Sequence, residues 1–313
     1  MFKFILRRTV AGVLLIWVVA TITFALLSIT DTSVARNIVG PTASAAQETA
    51  KIAELGLDRS FPERYGEWLS HAITGDFGRS WFTGNNVGTS IANTMPVTLS
   101  VVVVGLGVSA LMSLAIGSLA ATRRGALDRW VQTGSVISAA FPGFLVALAL
   151  VMAFAIQLRI LPATGFVPFS ESPVGWVRSI ILPSLALAFG ATAATTQQVR
   201  GSLIQILGLD YVRTLRSRGL KGRRLIYKHA LRNAAPAALT VLSLQFISLV
   251  GGAVIIEKVF GLAGIGSLAN SAASQGDLPV VLGVVVVMVI IVVVINLFMD
   301  LAQGWVNPKV RIK

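Results

Sequence analysis

Two histidines, thirteen acids and no cysteine are all that this 313-residue chain offers for acid–base, nucleophilic or metal chemistry. His71 and His229 each stand without neighbours at metal-ligand spacing. No G-x-S-x-G elbow or Ser/His/Asp arrangement is present. A G-x-x-x-x-G-K-[ST] phosphate loop is also missing, so the chain is not expected to hydrolyse ATP or to bind a cofactor or metal itself. The glycine-rich "GLAGIG" at 261–266 lacks the Lys-Ser/Thr pair and reads as a turn. The remaining chemistry is non-covalent and falls in two places. One is "DYVRTLRSRGLKGRRLIYKHALRN", residues 210–233, which holds eight Lys or Arg and a single acid. The other is a set of neutral polar groups inside apolar stretches: Thr192, Thr195, Thr196, Gln197, Gln198, Ser243, Gln245, Ser248 and Asn296. Such groups either hydrogen-bond between helices or line a path for a polar solute. Thr192, Thr195, Thr196, Gln245, Ser248 and Asn296 are the candidates for a translocation path.

The elements that must position these residues lie in a membrane. The chain is 55% hydrophobic and 12% charged, about half the charge of a soluble domain. Six stretches without Asp, Glu, Lys, Arg or His are long enough to cross a bilayer: 9–30, 96–122, 130–158, 179–199, 233–256 and 278–299. The first resembles a signal peptide, but its apolar run exceeds the h-region of such peptides, so a retained span is expected. Phe141-Pro142-Gly143 predicts a kink or break in the third, and Pro183 is read as lying in the first turn of the fourth. The absence of ionisable groups in the six windows weighs against proton coupling. The fold expected is all-α and polytopic, with six transmembrane helices.

Loop charge sets the expected orientation. With both termini cytoplasmic, the inner loops hold 18 of the 26 Lys and Arg, and ten of the 13 acids lie outside. The net charge of +13 is thereby an orientation signal, and nucleic acid is not an expected partner. Residues 31–95 are too polar to span and too long for a plain connector, so they are expected to form an extracytoplasmic segment. Within it, 47–57 reads as a helix stopped by Gly56, and "DFGRSWFTGNN" as a turn-rich loop with aromatic anchors. The organisation expected is a helix over 1–30, an external segment over 31–95 and a five-helix core over 96–313.

Nine Lys and Arg between 200 and 232 would cost on the order of 20 kcal/mol in the bilayer, so this segment stays in water. Asp210 is a candidate N-cap, Tyr211 and Leu215 share a face with Val212 beside it, and Gly219 is a natural stop. The pattern predicts a helix of about eight residues, joined through Leu220-Lys221-Gly222 to a second from about 223 that ends near Pro236. On charge alone the segment could be a lipid anchor.

"YVRTLRSRGL…RRLIYKHALRN" resembles the cytoplasmic loop of ATP-binding-cassette importer permeases of the dipeptide/oligopeptide/nickel family. The family's Glu-Ala-Ala motif falls on Arg213, Thr214 and Leu215, and its glycine on Gly219. Leu215 stands where alanine is usual, and Lys221-Gly222 where a Ser cap is usual. "FILRRTVAGVLLIWVVATITFALL", "LGLDRSFPERYGEWLSHAITGDFGRSW", "EKVFGLAGIGSLA" and the terminal "VNPKVR" resemble further landmarks of the family in the same order. The resemblance implies a non-catalytic B-type permease subunit of the bacterial inner membrane. It implies pairing with a second homologous permease, with ATPase subunits that carry ATP and Mg, and with an extracytoplasmic substrate-binding protein. It makes 200–235 the coupling loop. ATPase docking would fall to Asp210, Tyr211, Val212, Arg213, Thr214, Leu215, Arg216, Arg218 and Gly219. The substrate implied is a di- or oligopeptide or a related small solute. A stand-alone channel or secondary carrier is the alternative.

Overall fold

The computed structural model describes residues 2–29, 31–123, 125–220 and 222–306. Lys221 and the part of "VNPKVR" after Val306 lie outside the described residues. Helices carry the fold: α1 Phe2–Ser28, α2 Asp31–Val39, α3 Ala45–Glu54, α4 Phe61–Ile73, α5 Val87–Thr122, α6 Ala126–Ala140 and α7 Gly143–Leu150. A π-helical run Val151–Gln157 follows, then α8 Pro173–Leu207, α9 Asp210–Ser217 and a turn α10 Gly222–Arg224. A second π-helical run, Leu225–Ala230, leads into α11 Leu231–Val259, α12 Ile265–Gln275 and α13 Leu278–Val306.

Five stretches are long and apolar enough to cross a membrane: Leu6–Ser28, Val87–Thr122, Pro173–Leu207, Leu225–Val259 and Leu278–Trp305. The pair Ala126–Ala140 and Gly143–Gln157 is long and apolar enough only when taken together, and it is bent by 96°, as a broken span or a re-entrant loop is. The break falls where Phe141-Pro142 predicts it. A residue before proline is driven out of the helical region, and Phe141 sits extended at ψ 123°. Exposed apolar side chains along α1, such as Val10, Val13, Leu14 and Trp17, fit a lipid-facing surface. The chain is an all-α polytopic membrane protein.

Two prolines, Pro183 and Pro236, correct the sequence reading, and a third lies inside a span. Pro183 lies ten residues into α8, while Pro173 occupies the first turn. Pro96 lies inside α5, which starts at Val87. Pro236 lies inside α11 and does not end it. A span can carry a proline because its neighbours and local π or 3₁₀ adjustment re-satisfy the freed backbone groups.

The chain divides into two compact units. One comprises residues 2–97 and 263–293. Its centre is Phe24, with ring contacts to Phe61 at 5.4 Å, Tyr65 at 5.3 Å and Trp68 at 5.9 Å. Thr21 Oγ1 and Tyr65 OH share a 2.6 Å hydrogen bond, and Leu278 and Leu282 complete the cluster. Serine–glutamine and serine–glutamate capping boxes, Ser44/Gln47 and Ser60/Glu63, start α3 and α4. Gly56, at φ +64°, ends α3 as expected. The turn-rich loop is pinned by Asp277, which accepts from Ser80 Oγ at 2.5 Å and from the Trp81 N–H at 3.2 Å.

The other unit comprises 98–262 and 294–306 among the described residues. Helices α8 and α11 pack side by side around Val199, Leu203, Ala230 and Ala234. Helix α5 lies close against α8. A Cβ on Gly117 would meet Val199 Cγ1 at 2.9 Å and the Thr196 carbonyl at 3.0 Å, so only glycine permits this approach. The Ser184 hydroxyl seals the same contact by donating to the Val101 carbonyl at 3.1 Å.

Candidate functional site: a strapped basic helix and a hydroxyl-lined cavity

The basic segment forms two connected pieces. Leu209, not Asp210, is the N-cap of α9, with φ −73° and ψ 149°. Asp210 moves one residue into the helix and accepts from Arg213 Nη1 at 3.4 Å. The eight-residue length agrees with the pattern. Its end is a Schellman turn: the Gly219 N–H donates to the Arg216 carbonyl at 3.0 Å and the Leu220 N–H to that of Leu215 at 3.1 Å. Gly219 takes φ +83°, a conformation that glycine adopts without steric cost.

Two anchors hold α9 to the rest of the chain. Val212 is fully buried, and the helix packs on the run Leu225–Ala230, where Leu225 is also buried. Asn233 Nδ2 donates to Tyr211 OH at 2.9 Å, tying α9 to the start of α11. This corrects the expectation that Val212 supplies contact to a partner, because the chain has already covered it. Leu215 is half-buried. The surface left outward carries Arg213, Thr214, Arg216 and Arg218, all exposed. The available face is thus polar and cationic, with Tyr211 and Leu215 at its margin.

Above this segment a pair of charges joins two helices. Asp128 of α6 takes both Nε and Nη2 of Arg200 in α8, the second at 2.7 Å, and also accepts from Gln132 Nε2 at 3.1 Å. A bidentate Arg–carboxylate pair fixes geometry as well as charge. Nothing local in the sequence announces it, since the partners lie 72 residues apart.

The six path candidates separate. Thr192 and Thr196 line a cavity of about 390 Å³ between α5, α6 and α8, together with Ser135 and Ser138. Thr195 faces a different, smaller cavity of about 220 Å³, bordered by α5 and α11. Gln245 and Asn296 are half-buried and Ser248 is exposed, and none of them lines either cavity. Thr192 and Thr195 donate to carbonyls of their own helix, Ala188 at 2.6 Å and Ala191 at 2.9 Å. Their hydroxyls are therefore satisfied without another helix. Thr196 Oγ1, in contrast, is buried and has no hydrogen-bond partner among the described residues. Ser135 and Ser138 were missed in the sequence because their span is broken and its register uncertain from periodicity alone.

Glu257 was also missed. Helix α11 runs past the apolar window and carries Glu257 with it, fully buried, where it accepts from Thr98 Oγ1 of α5 at 2.5 Å. A buried ionisable group therefore lies one residue beyond the charge-free stretch, and the case against proton coupling built on charge-free windows is weakened accordingly.

Comparison with known proteins supplies the remaining evidence. Residues 113–312 match the family described as binding-protein-dependent transport system inner membrane component. Residues 1–102 match the N-terminal region described for membrane components of the same systems. A protein of Sinorhizobium fredii named a probable peptide ABC transporter permease is 34% identical over 309 residues, covering 98% of this chain and 99% of its own. A Brucella abortus protein named for a peptide transport system permease is 33% identical over 311 residues, 98% of each chain. A glutathione transport system permease protein of Escherichia coli is 30% identical over 314 residues, the full length of both. On its span pattern, its loop motif and these full-length matches, the chain belongs to the family of inner membrane components of binding-protein-dependent transport systems.

Proposed function

We propose that this permease serves an ATP-driven importer of di- or oligopeptides, or of a related small solute such as glutathione. Relatives named for peptide and glutathione transport support that substrate class. In this reading both termini are cytoplasmic, and α9 is the coupling helix that docks in an ATP-binding-cassette ATPase. A second homologous permease shares the translocation path, and an extracytoplasmic binding protein delivers the solute. ATP and Mg stay on the ATPase subunits.

The observation that carries the reading is the build of α9. It is strapped inward by Val212 and Tyr211 and shows its cations outward, at the junction of the α8 and α11 spans. Movement of a docked α9 passes directly to α11 through the Tyr211–Asn233 bond and to α8 through the short link at Gly208-Leu209. The Thr196 hydroxyl, together with the acceptor lone pairs left on Thr192, Ser135 and Ser138, offers neutral polar contacts of the kind a peptide backbone needs. The lining of that cavity contains no charge, which suits solutes with varied side chains.

Gly219→Pro tests this. Proline fixes φ near −65°, so it cannot hold the turn that ends α9. Uptake should fall more than tenfold while the ATPase continues to hydrolyse and the chain still inserts. Normal uptake by Gly219→Pro, or by Leu215→Asp, would refute docking at α9.

A further inference from the structure

A groove of about 580 Å³ opens beside the start of the Leu225–Val259 span and the end of the Leu278–Trp305 span. Tyr227, Lys228, Leu231, Arg232, Ala235 and Trp305 line it. The two cations are four residues apart and both exposed, and among the described residues no acid lines the groove. Trp305 and Tyr227 are 77% and 54% exposed, and aromatic rings of this kind gather at the membrane–water boundary.

We infer that this groove is a binding site for the phosphodiester headgroup of an anionic phospholipid. Depth, charge and shape agree on that occupant. Lys228 and Arg232 occupy the first turns of one span and Trp305 the last turn of another, so the groove lies at headgroup level. Placing either cation deeper would cost about 2.5–3.5 kcal/mol. The headgroup phosphate meets Lys228 and Arg232 on the water side. The acyl chains continue along Leu231 and Ala235 on the apolar side. The site requires only that these two stretches cross the bilayer, and it stands or falls independently of the transported solute. It also separates two roles within the basic segment: α9 shows cations to a protein partner, and the first turns of the next span show theirs to lipid.

Brominated-lipid quenching of Trp305 tests the site. The full-length chain, with the subunits that co-purify with it, is reconstituted in phosphatidylcholine vesicles. The emission of Trp305 is isolated by subtracting that of W305F. Each cation near an anionic surface contributes about fivefold in apparent affinity. Brominated phosphatidylglycerol should therefore quench Trp305 at mole fractions about 25-fold lower than brominated phosphatidylcholine. K228Q should reduce this preference about fivefold. K228Q/R232Q should abolish it, and K228R/R232K should keep it. If K228Q/R232Q does not fold, K228Q alone still decides. Equal quenching by the two lipids overturns the inference, as does a preference that survives loss of the cations. Displacement of the lipid by millimolar inorganic phosphate would assign the site to a soluble anion. Protection of Trp305 only when ATPase subunits are present would assign it to a protein contact. Either result removes the lipid.

Discussion

The polar segment between the first two spans and the basic segment between the α8 and α11 spans are both insertions, yet they are built by opposite means. The first is held in a core that it shares with α1 and the start of α13. Phe24 sits in a ring of three aromatics, two helices begin in capping boxes, and Asp277 pins the loop that follows. The basic one has a single fully buried anchor in α9, one side-chain bond to α11 and one glycine turn. A segment already packed into a core of its own chain is complete before any partner arrives. A segment with one anchor and an outward cationic face is completed by what it meets. Perturbations should therefore act on stability in the first region and on coupling in the second.

Removing Phe24 should have the largest effect on stability. Phe24→Ala empties the centre of the aromatic cluster and should cost about 3–5 kcal/mol, read as a drop in thermal stability of the solubilised protein. If it instead left stability intact and abolished ATPase association, the contrast would fail. Asp277→Ala comes next. It strands the Ser80 hydroxyl and the Trp81 N–H, at about 1–3 kcal/mol, and hydrogen exchange should rise within residues 76–86. Outside both segments, Asp128→Asn should loosen α6 from α8 by about 1–2 kcal/mol, a fraction of the value for a fully buried pair because both side chains keep some exposure. Tyr211→Phe is the smallest change. It removes only the bond from Asn233, about 0.5–1.5 kcal/mol, and should lower transport per ATP hydrolysed with little change in melting temperature.

The parts of this molecule that were legible in sequence are those set by local rules. Six apolar windows foretold the spans, Phe141-Pro142 foretold the 96° break, and Gly56 and Gly219 foretold two helix ends. Prolines misled: α8 starts at Pro173, ahead of the charge-free window, so Pro183 is not in its first turn, and α11 continues through Pro236, which a helix in water would not do. Helices α2, α4 and α12 escaped notice, since none has the length or apolarity that marks a span. Long-range pairs left no trace: Asp128 finds Arg200 and Thr98 finds Glu257 only after the helices have packed. The inward turn of Val212 was equally hidden. The amphipathic pattern shows that α9 has an apolar side, and only the fold shows that its own chain covers it.

Because the sequence contains no cysteine, a single reporter can be placed on the outward face of α9. Thr214→Cys in the assembled transporter should react with membrane-impermeant maleimide only from the cytoplasmic side. It should cross-link to the ATPase subunit with an efficiency that changes when nucleotide binds. Labelling from outside intact cells, or no cross-link to any nucleotide-binding subunit, would contradict the assignment of α9 as the coupling helix.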